Sequence, residues 1–243
     1  MDHPVIGIHQ PECFPWLGFI AKALDSDVFI LLDDVQFEKN YFQNRNRLPG
    51  ANGPYWLTVP TSNTGRSSRT LGEIEIANSV NPRWRDKQLA SWTQSYASAA
   101  YAAEQLPFLQ SLYAKPWERL VDFNLEVIRH LFAAFGVEAR VELSSNLKCE
   151  GKSSEKLLNL CKATGAKTYL SGISGRDYLD ESIFAAAGIT VAYQDFRHPI
   201  YKQRALPFEP CLTAFDLLFN EGTERSRMIL RDPSFPRIDK AFT

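Results

Sequence analysis

Short apolar runs that stop on polar residues mark the start of the chain. Val5-Ile6-Gly7-Ile8 ends on His9-Gln10-Pro11, and Asp27-Val28-Phe29-Ile30-Leu31-Leu32 ends on Asp33-Asp34. The second run is apolar without alternation, which reads as a strand buried on both faces, as in a parallel sheet. Between the two runs, residues 15–24 read as a short helix with Pro15 at its start, where the missing N–H is no loss. Strand, helix and strand in about thirty residues predict a βαβ unit. Residues 55–60 and 73–76 read as strands around a loop at 62–69, whose Gly, Ser and Arg content predicts mobility.

The middle of the chain carries helical spacing. A helix is expected over 82–97, with Asn81 as its cap and Pro82 at the first helical position. Over 116–135, Leu120, Phe123, Val127, Leu131 and Phe135 recur every three or four residues, an amphipathic helix closed by Gly136. The last third returns to alternation: strands at 139–143, 168–171 and 189–194, and helices at 153–164 and 177–187. The expected fold class is therefore α/β, a Rossmann-like three-layer domain with a mainly parallel sheet. A helical insertion at about 80–136 separates its two halves within a single domain, 1–243, and the tail after about 222 is expected to be loosely held.

Composition narrows the class. Of the 243 residues, 44% are hydrophobic and 23% charged, which is ordinary for a globular chain. A net charge of -1 gives no basic field to attract nucleic acid. No apolar stretch approaches the roughly 18 residues needed to cross a bilayer, so no membrane insertion is expected. No basic segment followed by an apolar core opens the chain, so no signal peptide is expected. The four cysteines are scattered without a CxxC, so neither a disulfide framework nor a zinc site is expected and a cytoplasmic location is.

The candidate chemistry lies where these strands end, because ligands of open α/β sheets bind outside the carboxyl ends of the strands. His9 can bind phosphate or act as a base near neutral pH, with Gln10 beside it. Asp33 and Asp34 can orient an amine or hydroxyl or hold magnesium, or simply cap the next turn. Asn44, Arg45, Asn46 and Arg47 alternate amides with guanidinium groups, which suits bidentate recognition of phosphate or carboxylate, or else forms a solvated loop. Ser171, Gly172, Gly175 and Asp177 lie in a turn between strand and helix that serves equally as an anion cradle or a tight connection. His198 and Tyr201 belong to a polar loop placed to close over the site. Trp16 can pack in the core or stack on a base or sugar. Gly151-Lys152-Ser153 lacks the first glycine of a phosphate-binding loop, and Ser153-Ser154-Glu155-Lys156 lacks the partner motifs of a serine nucleophile; both are set aside.

Taken together, these segments resemble the WbqC-like family. The likeness is carried by Ile8-His9-Gln10-Pro11, Phe14-Pro15-Trp16-Leu17-Gly18-Phe19, Leu32-Asp33-Asp34-Val35-Gln36-Phe37 and Gln43-Asn44-Arg45-Asn46-Arg47. Trp56-Leu57-Thr58-Val59-Pro60, His198-Pro199-Ile200-Tyr201-Lys202-Gln203 and Asp216-Leu217-Leu218-Phe219-Asn220 extend it. The resemblance implies a bacterial protein encoded among O-antigen or other surface-polysaccharide genes, and the transfer of glycine or a similar acyl group to an amino sugar. The order strand, helix, strand ending before Val35-Gln36-Phe37, followed by Ser171-Gly172-Ile173-Ser174-Gly175-Arg176-Asp177-Tyr178, is more distantly similar to pantothenate synthetases of the HxGH nucleotidylyltransferase-like group, which implies an acyl-adenylate route. There the chain departs: where that group has two histidines around a glycine, it has Trp16-Leu17-Gly18-Phe19.

The expected function is thus an amide-forming aminoacyl or acyl transferase acting on a nucleotide-linked amino sugar, with His9, Asp33 and Asp34 catalytic. Gln10, Trp16, Gln36, Asn44–Arg47, Ser171, Gly172, Gly175, Asp177, His198 and Tyr201 are expected to bind substrate. The alternatives are an adenylate-forming enzyme using ATP and a non-catalytic nucleotide-sugar binding protein. The cofactor is open, with ATP and magnesium as one option, and an acyl carrier protein is one option for the donor.

Overall fold

The computed structural model describes residues 4–62, 69–203 and 207–238. Most of the loop expected to be mobile, 63–68, lies outside the described residues. The chain opens with β1 (Val5–His9), α1 (Leu17–Leu24) and β2 (Val28–Leu31), the expected βαβ unit. A hairpin of β3 (Arg45–Leu48) and β4 (Tyr55–Thr58) follows. Three helices come next, α2 (Trp84–Tyr96), α3 (Ala102–Ala114) and α4 (Leu120–Phe135). The second half runs β5 (Arg140–Leu143), α5 (Ser144–Leu147), α6 (Ser153–Ala163), β6 (Thr168–Ser171), α7 (Glu181–Ala186) and β7 (Thr190–Tyr193). The short β8 (His198–Pro199), the long α8 (Phe215–Arg231) and β9 (Arg237–Ile238) complete it.

Five strands form one parallel sheet in the order β5-β2-β1-β6-β7. The chain builds outward from β1 through β2 to β5, then returns to β1's other side and builds outward through β6 to β7. The sheet's topological switch point therefore lies between β1 and β6, where such sheets open a crevice at their carboxyl ends. Alternation along the strands divides the core into two layers. Ile6, Ile8, Val28 and Ile30 pack with Leu157, Leu160, Cys161 and Phe184 of α6 and α7. Phe29 and Leu31 pack on the opposite face with residues of α1, α4 and α8. Gly7 is needed between them, because a Cβ there would meet Ser26 Oγ and the Phe29 ring.

The differences from expectation have local causes. Pro15 stands just before Trp16, the residue that precedes α1, so the helix starts later than its proline suggests. Pro82 and Asn81 form a lead-in turn, Trp84 N–H donating to the Asn81 carbonyl, rather than the start of α2. Residues 71–73 are a 3-10 turn where the strand at 73–76 was expected, and only isolated bridges at Glu75 and Ile76 remain. Residues 173–177 are also 3-10, which delays α7. Residues 222–238, expected to be a loosely held tail, continue α8 to Arg231 and form β9, which pairs with β8. Ser226, Ile229 and Leu230 are buried there. The helical pattern is disguised in sequence by Gly222, whose φ of 72° kinks α8 beneath the Tyr101 ring.

Candidate active site

His9 is the last residue of β1 and sits on the Phe19 ring edge at 4.9 Å. Its Nδ1 lies 3.0 Å from the Gln10 carbonyl, which can only accept, so Nδ1 carries the proton and Nε2 presents a lone pair. Nε2 is 3.7 Å from Glu12 Oε1, and the His9 side chain is 31% exposed while that of Glu12 is 8% exposed. Desolvation, followed by the charge of Lys22, pulls the His9 pKa down to about 3. The imidazole is therefore neutral at neutral pH.

Glu12 and Lys22 were not foreseen as site residues. Burial raises the Glu12 pKa to about 8, against the Trp16 backbone N–H and Lys22, which both lower it. Burial lowers that of Lys22 to about 7, against the attraction of Glu12. Lys22 Nζ donates to the Ile8 carbonyl at 2.6 Å, while Glu12 Oε2 is buried with no hydrogen-bond partner among the described residues. The signal for Lys22 was present in the sequence: a lone lysine inside the apolar helix Leu17–Leu24 must hide its ammonium. Glu12 gave no such signal, because loop carboxylates are usually solvated.

Phe14 between them has φ 52°, left-handed backbone that a bulky residue adopts only under tertiary constraint. The constraint is visible. Asn46 Nδ2 donates to the Phe14 carbonyl at 2.6 Å, and Phe14 packs against Trp92, Phe123 and Phe215.

The two aspartates at the end of β2 are fully engaged. Asp33 accepts from Ser144 Oγ (3.1 Å), Ser145 N–H (3.0 Å) and Ser145 Oγ (2.6 Å), which ties the start of α5 to β2. Asp34 accepts from Ser144 Oγ and, at 2.7 Å, from Lys156 Nζ. A magnesium ion there would have to displace the lysine and the hydroxyls. Among the described residues no group of three or more His, Cys, Asp and Glu is placed to hold a metal ion.

The Gln43–Arg47 segment is β-strand at its core rather than a solvated loop. Gln43 Nε2 donates to Gln10 Oε1 at 2.7 Å, and Asn44 Nδ2 donates to the Val59 carbonyl at 3.1 Å. Asn46 holds Phe14, and Arg47 pairs with Glu209 at 3.2 Å. These amides clasp the loop after β1 to the hairpin. Arg45 behaves differently, its guanidinium lying 3.9 Å from the centre of the Trp56 ring. Gln36 is exposed and bridges to Thr70.

The register of β1 and β6 brings the end of β6 alongside the end of β1. Ser171 is buried there, its hydroxyl donating to the Gly172 carbonyl at 3.1 Å. Gly175 packs directly on Ser171, leaving no room for a Cβ, whereas a Cβ on Gly172 would meet open space. Asp177 is exposed at the end of the 3-10 turn. The Trp16 ring covers Gly18 and meets Phe196 at 5.3 Å, largely a packing role.

His198 and Tyr201 belong to a separate buried network. Tyr201 OH, Tyr96 OH and Gln203 Nε2 all donate to the Asp216 carboxylate, at 2.8, 2.9 and 2.8 Å. His198 is buried beside the Phe196, Tyr201 and Phe208 rings, and desolvation lowers its pKa to about 4. These groups hold the segment after β7 against α2 and α8.

The five-strand parallel sheet flanked by helices makes this an α/β protein of Rossmann-like architecture, with His9 and Glu12 at the carboxyl end of β1. The model of the WbqC-like protein family matches residues 10–228, and the chain belongs to that family. It is 31% identical over 223 residues to Rv1507c of Mycobacterium tuberculosis, a protein described as uncharacterised, covering 90% of this chain and 94% of the relative. No solved structure matches the chain. No helix among the described residues is long and apolar enough to cross a membrane.

Proposed function

We propose that this protein is a biosynthetic enzyme that forms an amide, transferring an aminoacyl (glycine-type) or acyl group to a nucleotide-linked amino sugar. Family membership supports a biosynthetic enzyme. The observation that carries the chemistry is the His9–Glu12 pair, two desolvated groups 3.7 Å apart at the carboxyl end of β1. An amino sugar in water is mostly ammonium and must lose a proton before its nitrogen attacks the acyl carbon. Glu12, with a pKa raised to about 8, matches that proton far better than an ordinary carboxylate. His9 Nε2 keeps its lone pair and faces Glu12, so it accepts a hydrogen bond from the ammonium and orients it, while the ionised Glu12 carboxylate takes the proton. The acyl carbon gains the nitrogen and loses its leaving group, which departs with its electron pair. The Asp33–Asp34 pair is structural on this reading, fixing α5 to the end of β2.

The test is to incubate the protein with nucleotide-linked amino sugars and either an acyl thioester or glycine with ATP and magnesium, and read the products by mass spectrometry. An acceptor heavier by the acyl group is expected, and its absence with every donor while the nucleotide-sugar still binds leaves a non-catalytic binding protein. The adenylate-forming alternative draws on the crevice itself, since switch points of doubly wound sheets accept nucleotides. Pyrophosphate release dependent on the acyl substrate would establish it.

A further inference from the structure

Arg45 and Arg47 project from the same face of the β3–β4 hairpin, and only one of them is spent. Arg47 is paired with Glu209 and donates to the Pro210 and Cys211 carbonyls. Arg45 meets no carboxylate or carbonyl among the described residues. Its Nε is buried without a partner among the described residues, and its guanidinium lies over the Trp56 ring, 3.9 Å from the ring centre; Trp56 is itself 43% exposed. An arginine stacked in this way has its fork fixed in place, so little ordering entropy opposes a bidentate anion contact. The neighbouring ring is Phe42, 5.7 Å from Trp56, followed by Tyr41, 5.2 Å from Phe42 and 50% exposed. The shelf leads to the crevice: Cys13 N–H donates to the Phe42 carbonyl, and Gln43 reaches Gln10. Tyr41 stands between the two, its phenol pKa raised by partial burial and then by Glu12 and Glu38.

We propose that the Arg45–Trp56 shelf holds the diphosphate of a nucleotide-linked substrate, with the exposed rings of Trp56 and Tyr41 flanking its base or sugar. This rests on the reading above only in supposing that the substrate's reacting amine enters the crevice beside His9. A guanidinium fork fits a diphosphate, two exposed rings fit a ring-bearing ligand, and no carboxylate among the described residues pairs with Arg45, which leaves its charge for an anion.

Calorimetric titration of the full chain with inorganic pyrophosphate and with uridine diphosphate tests it without turnover. Both should bind, the nucleotide more tightly. Arg45→Lys keeps the charge but loses the fork, and should weaken both by at least about tenfold, as expected for one charge-assisted hydrogen bond. Trp56→Leu should weaken the nucleotide more than pyrophosphate. NMR of the wild-type Arg45 Nε–H during pyrophosphate addition gives the same information without a substitution, and its resonance should shift. Unchanged affinity in Arg45→Lys, an unmoved resonance, or no binding of either probe at millimolar concentration overturns the proposal. Amide formation that survives Arg45→Lys unaltered overturns the shelf but leaves the transferase reading intact. Diphosphate binding through Arg45 in a protein that forms no amide does the reverse.

Discussion

At the end of β2, each carboxylate oxygen of Asp33 and Asp34 receives a hydroxyl, an amide or an ammonium. At the end of β1, among the described residues, Glu12 keeps one oxygen buried and unpartnered, His9 keeps a lone pair facing it, and Lys22 Nζ donates to one carbonyl, that of Ile8. The two ends are hydrogen-bonded neighbours in one sheet and look alike in sequence, polar residues closing an apolar run. Satisfied carboxylates make a joint, whereas unsatisfied ones are poised to exchange protons with something that arrives. Leaving a buried polar group without its partner costs stability, and such costs concentrate at functional sites.

The sharpest break in this comparison is Glu12→Gln, which keeps the shape and removes the titration. Turnover should fall by roughly 10²–10⁴, the usual share of a general base. In the wild type, kcat/KM should climb as pH approaches about 8 and then level, because the reactive carboxylate is the ionised form; the variant should lose that limb. Turnover and pH profile both unchanged would remove Glu12 from the chemistry. At the other strand end, Asp33→Ala should leave activity per folded molecule nearly intact but remove the charged acceptor of the Ser145 N–H and hydroxyl, leaving Ser144 to Asp34 alone. A cost of about 3 kcal/mol is expected, seen in calorimetry as a melting point lower by roughly 6–12 °C.

Glu12→Gln also makes a thermodynamic prediction, with a sign. Because the folded pKa is raised above the unfolded value, the protonated carboxyl's advantage is complete below about 4.5 and is lost as pH rises through about 8. Urea denaturation should therefore find the variant and wild type equal in mild acid and the variant increasingly the more stable towards pH 8. The gap should be on the order of 2–4 kcal/mol, since Glu12→Gln also takes from Lys22 the attraction that raises its pKa. The smallest effect belongs to Lys156→Met, which removes a partly exposed pair with Asp34 and should cost about 1 kcal/mol with little change in turnover. A drop in turnover comparable with that of Glu12→Gln would move Asp34 back into the reaction.

Much of this was legible along the chain. The apolar runs marked β1 and β2, the four-residue run ending at Ser171 marked β6, and the spacing of Leu120, Phe123, Val127, Leu131 and Phe135 marked α4 with its left-handed Gly136. Other elements were hidden for identifiable reasons. The strand Arg45–Leu48 reads as a charged loop because its alternation is carried by Asn46 and Leu48 inward and by two arginines outward. α3 has a proline within it, and α8 is interrupted by a kinked glycine, so neither showed an unbroken period.

The sequence by itself determined that the chain builds a parallel α/β sheet and that its polar residues gather where the strands end, since both follow from local patterns of apolar and polar side chains. It could not determine which of those polar residues are consumed by the fold. Ser144 lies 111 residues from Asp33, Lys156 lies 122 from Asp34, and Glu209 lies 162 from Arg47. Such partners meet only when the sheet is assembled. Tertiary structure alone decided that Asp33 and Asp34 are satisfied while Glu12 and His9 are desolvated together, because the charge state of a buried group is set by the neighbours packing brings to it and not by its place in the chain.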